Sequence, residues 1–110
     1  MKIFSFRVFF LLFLFFVSFS CNSPSENRVK HMQRGDGYFE KQEFEKDILE
    51  YKNAIQAEPD FSRAHYQLEL TYLRTLQTLE AHRELSKTVE LEPVNMEAQL
   101  KLGQLYFLGK

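Results

Sequence analysis

The chain has 110 residues, 14 basic and 15 acidic side chains, 12 Phe, three His and a single Cys. That length suits one small domain, the lone Cys excludes an internal disulfide, and the near-neutral charge leaves no basic cluster for nucleic acid. The bulk figures average two unlike pieces, because eight of the Phe residues fall between Phe4 and Phe19 and the remainder of the chain is polar and helix-forming.

Residues 1–20 read as an export signal. Lys2 and Arg7 form its positive start, and residues 8–17 are an unbroken apolar run. Ten residues suit a signal-peptide core, whereas a membrane-spanning helix needs about 20. Ser18-Phe19-Ser20-Cys21 follows, and then a polar stretch through Asn27. Cys21 therefore stands where a lipid attachment would tether a domain to a bilayer, through residues 21–27. An ordinary secretory signal and an uncleaved anchor are the alternatives.

From about Arg28 the chain alternates apolar-periodic runs with short breaks, as paired helices do. The pattern returns every 34 residues. Pro59 recurs as Pro93, each after a Glu; Tyr38 recurs as Tyr72 and Tyr106; Ala64 recurs as Ala98, and Leu68 as Leu102. Gly35 recurs as Gly103, with Glu69 between them. Such a period marks stacked supersecondary units, which hold partners more often than they perform chemistry. Ala64, Leu68 and Tyr72 share one helical stripe, and Ala81, Leu85 and Thr88 form the stripe that faces it.

These residues resemble the tetratricopeptide repeat family. Residues 28–61 make a degenerate first repeat, with Gly35, Tyr38, Tyr51, Ala54 and Pro59 in register and Arg34 and Asp47 departing from the pattern. Residues 62–95 make the fullest copy, with His65, Leu68, Tyr72, Ala81, Leu85 and Pro93 in register and Glu69 in place of glycine. Residues 96–110 supply the first helix of a third, with Leu102, Gly103 and Tyr106. The segment before them resembles a bacterial lipoprotein signal, with small Ser20 before Cys21 but Ser18 where an aliphatic residue is usual.

The resemblance implies an all-α fold: a short α-solenoid of helix-turn-helix repeats, about two and a half units long, behind a signal peptide. It implies a partner-binding groove lined by the first helix of each repeat. Carried over by position, that groove holds Met32 and Phe39, then Tyr66, Leu70, Leu73 and Arg74, then Leu100, Gln104, Phe107 and Leu108. A long apolar strip of this kind marks an interaction site. The alternative is packing within the chain, against a second copy, or against a missing helix. The carboxylate clamp of some relatives is not expected, because Met32, Asp36, Gln67, Glu97 and Lys101 occupy its positions and only Lys101 is basic.

No catalytic pattern emerges. His31 and His65 sit one period apart at a packing position, and no His-Glu-x-x-His or Cys pair suggests zinc. Asp36-Gly37-Tyr38-Phe39-Glu40 starts like a calcium loop, but Gly37 and Tyr38 break it. The expectation is a non-enzymatic, cofactor-free adaptor, lipid-anchored in a bacterial envelope, that binds a protein and no nucleic acid. The alternatives are a secreted or periplasmic protein, and a truncated or self-associating fragment of a longer array that dimerises through its C-terminal helix.

Overall fold

The computed structural model describes residues 23–109, so the expected leader and Cys21 lie outside the described residues. The described residues are all-helical: five helices, no strand, and 82% of positions helical. In chain order they are α1 (Pro24–Glu40), α2 (Phe44–Ala57), α3 (Ser62–Arg74), α4 (Thr78–Leu91) and α5 (Met96–Leu108). Each packs on its neighbours in the chain: α1 on α2, α2 on α3, α3 on α4, α4 on α5.

Local chemistry sets the boundaries. Ser23 caps α1 by accepting from the Glu26 amide, and Pro24 occupies the first turn, where its missing N–H costs nothing. Helix therefore begins four residues earlier than the sequence suggests and takes in most of the expected tether. Pro59 and Pro93 lie in the exposed turns after α2 and α4, as their fixed φ and lost donor require. Asn95 caps α5, its side chain accepting from the Ala98 amide at 3.0 Å.

The backbone repeats itself at the same 34-residue interval as the sequence. Gln42 has φ 59° and Leu76 φ 61°, the only non-glycine residues with positive φ among those described. Glu43 donates its amide to the Tyr38 carbonyl at 2.9 Å, and Gln77 to that of Tyr72 at 2.8 Å. Side chains follow suit: Arg28 reaches Glu58 and Ser62 reaches Glu92, while His31 meets Glu50 and His65 meets Glu84.

The core runs through α1–α4: Met32, Tyr51, Ala54, Ala64, Leu68, Tyr72 and Ala81, with Ile48, Ile55 and Phe61 against it. The alanines are fully buried, and Tyr and Leu fill the space around them. Among the glycines Gly35 is packed most tightly. A Cβ there would lie 2.5 Å from Tyr51 Cε1. Leu85 is fully buried and Tyr72 nearly so, as the repeat pattern requires, but Tyr38 is only partly buried. Leu102 is likewise partly buried, Gly103 is exposed, and Tyr106 is 60% exposed with its ring edge-on to His82 at 4.9 Å. These α5 positions therefore are not core, because α4 alone among the described helices packs extensively against α5.

Candidate partner-binding surface

The first helices of successive repeats, α1, α3 and α5, are tied side to side by polar contacts. Asp36 accepts from Arg63 at 3.0 Å and from the buried Tyr51 hydroxyl at 2.9 Å. Tyr66 donates to Glu97 at 2.9 Å and accepts from Lys101 Nζ at 2.8 Å. Between these helices two cations lie over rings 35 residues before them in sequence: Arg74 over Phe39 at 5.8 Å and Lys101 over Tyr66 at 4.6 Å. The polar links were not anticipated from sequence. Their signal was available in the charges of the groove positions, but not in apolar periodicity.

The expected groove residues divide into three groups. Met32 is 3% exposed and belongs to the core, so it is not available to a partner. It joins Tyr51, Ala54 and their neighbours in the buried cluster. Phe39, Tyr66 and Leu70 are half-buried, and the first two are engaged by the cations above. Leu73, Arg74, Leu100, Gln104, Phe107 and Leu108 are exposed. Four of these expose large apolar area, from 37% at Leu73 to 81% at Phe107. Leu100, Gly103, Gln104, Phe107 and Leu108 line, with Gln99, an open depression of about 560 Å³ on α5.

Two carboxyls are buried without partners. Asp47, whose equivalent one period on is Ala81, is fully buried and neither oxygen is hydrogen-bonded. Burial pushes its pKa up to about 6; the neighbouring Thr71 hydroxyl pulls downward but is committed to the Gln67 carbonyl at 3.2 Å. Glu69, where the periods on either side have Gly35 and Gly103, is equally buried and unpartnered, and desolvation raises its pKa against the pull of Lys101. Gly35 is covered by Tyr51, whereas the register equivalent of Tyr51 in the next repeat is the smaller Leu85.

His65 contacts acceptors through both ring nitrogens, Nδ1 with Glu84 at 2.7 Å and Nε2 with the Pro59 carbonyl at 2.9 Å. A carbonyl cannot donate, so Nε2 carries its proton, and the carboxylate favours a second proton on Nδ1. Burial works against that charge, but the two hydrogen bonds outweigh it and the pKa rises. This ring clamps α3 to α4 and leaves no nitrogen free to act as a base. Among the described residues there is no group of three or more side chains that could hold a metal. Among them, too, no helix is long and apolar enough to cross a membrane.

No protein-family model matches the chain, and no curated protein matches it.

Proposed function

We propose that this chain is a non-catalytic protein-binding module, a short α-solenoid of tetratricopeptide-type repeats held at a bacterial membrane through lipidated Cys21. One observation carries the reading: the hydrogen bonds, turns and positive-φ residues recur every 34 residues, in step with the sequence pattern. A run of stacked helix pairs presents its first helices as a continuous surface. Along α3 and α5 that surface exposes Leu73, Leu100, Phe107 and Leu108, apolar area that an isolated domain gains nothing by showing to water.

The partner on this reading is a protein segment with an apolar face, laid along the exposed edge of α3 beside Leu73 and Arg74. The tether raises its local concentration at the membrane. In the full chain, Cys21→Ser is expected to release the protein from membranes, and blocking lipoprotein signal processing to leave an unprocessed precursor. Continued membrane association of Cys21→Ser would remove the lipid anchor from the account, and release of the wild type into the periplasm or medium would favour a secreted protein. Photocrosslinking from Leu73 tests the partner itself.

A further inference from the structure

Resting on that interaction role, we infer that the open face of α5 pairs with α5 of a second copy of this chain, about a two-fold axis. The face is the stripe around the 560 Å³ depression, in which Leu100 is 65% exposed and Phe107 81%.

The molecule carries its own template for what fits there. Two periods earlier, Gln99, Gly103, Gln104 and Phe107 correspond to His31, Gly35, Asp36 and Phe39. All four of those touch α2. His31 meets Glu50 at 2.6 Å, Gly35 lies under the Tyr51 ring, Asp36 accepts from the Tyr51 hydroxyl, and Phe39 packs edge-on against Phe44. In α1, then, this face is a seat for a second helix, with an aromatic ring over a glycine. Among the described residues nothing fills the same seat on α5: a Cβ at Gly103 would meet nothing within 4 Å.

A second α5 supplies what the seat lacks. Phe107 lies one turn beyond Gly103 on the same stripe. With two α5 helices antiparallel and the axis near Gln104, each Phe107 enters the gap between Leu100, Gly103 and Gln104 of the other. The contacts are reciprocal, as an isologous interface requires. Charge permits the pairing. The stripe has no ionised side chain, and the charges of α5, Glu97 and Lys101, are turned toward Tyr66 of α3. Two helices of this length bury roughly 1,000 Å² in total, the lower limit for a specific interface, so the dimer is a weak one in the micromolar range.

The test uses the full chain carrying Cys21→Ser and Gln104→Cys, oxidised in intact cells and run on a non-reducing gel. A disulfide-linked dimer is expected, with none from Cys21→Ser alone and none from Cys21→Ser with Leu79→Cys, an exposed position on α4. In nonionic detergent, sedimentation of the full chain should show monomer and dimer in exchange. Phe107→Glu and Gly103→Leu should each weaken the association about 30-fold or more, with helical circular dichroism unchanged. Absence of the Gln104→Cys crosslink, or a dimer indifferent to both substitutions, would overturn the pairing. If either occurs while Leu73 still captures a different protein, the interaction role stands and the self-pairing falls.

Discussion

The ring of Tyr51 occupies the space that a side chain at Gly35 would need, with Cε1 and Cδ1 2.5 and 2.7 Å from the place of the missing Cβ. Tyr51 is fully buried and its hydroxyl is held by Asp36, so the ring cannot swing aside. Gly37, two residues along the same helix, has nothing within 4 Å of its Cβ position. Alanine at either site gains about 1 kcal/mol of helix propensity. At Gly35 the overlap costs more than this, roughly 1–3 kcal/mol for an overpacked core. Chemical denaturation should therefore show Gly37→Ala stabilised and Gly35→Ala destabilised, opposite signs within one helical turn.

Leu76 is 88% exposed and sits at φ 61°, a conformation that penalises any residue with a Cβ. Its side chain recovers nothing by packing. Leu76→Gly should raise stability by about 1 kcal/mol, read as a higher denaturation midpoint at unchanged slope.

Asp47 makes stability fall as pH rises. Its folded pKa, about 6, lies above the ordinary value of 3.8. The folded state therefore holds the proton more tightly. No penalty exists below pH 3.8, it grows between there and 6, and it is complete above 6. Asp47→Ala removes the unpartnered carboxylate at a small cavity cost. It should stabilise the protein by about 1–2 kcal/mol at pH 7.5 and give no gain at pH 3.5. Equal effects at both pH values would assign the change to packing alone.

His65 acts in the same direction for a different reason. Its folded pKa is raised above 6.5, so the clamp to Glu84 and Pro59 contributes fully below pH 6.5 and is lost as pH climbs through the folded value. Glu84→Gln should cost about 1 kcal/mol or more at pH 6 and distinctly less at pH 9, measured by thermal melts across that range.

Much of the fold was legible because it is periodic. Helix placement, the turns at Pro59 and Pro93, and the inward stripe of Leu68, Tyr72, Ala81 and Leu85 all follow from residues within one repeat and its copy. What escaped depends on neighbours about thirty residues away. Met32 stands at a groove position by register, yet the α2 side chains packed against it bury it. Tyr106 stands at a core position by register, yet it lies on the surface against His82 because α4 covers only part of α5. The turns at Gln42 and Leu76 carry no glycine, so composition gave no sign of their left-handed backbone. Asp47 and Glu69 were visible as departures from the pattern, but their burial without partners comes from packing between helices. For the candidate surface, sequence indicated which side of the helices to inspect. The Asp36–Arg63 and Tyr66–Glu97–Lys101 links, which join those helices, required the three-dimensional arrangement.

The central claim is that the exposed edge of α3 holds a protein partner, and Leu73 is the position from which to ask. It is 37% exposed, lies one residue before Arg74, and is separate from the α5 stripe. A photoreactive phenylalanine analogue placed there in the full chain, illuminated in intact cells, should give one discrete heterologous adduct. The same analogue at Leu79 on α4 should give none. If Leu73 yields no adduct, or only the same diffuse background as Leu79, the chain does not hold a partner on this surface.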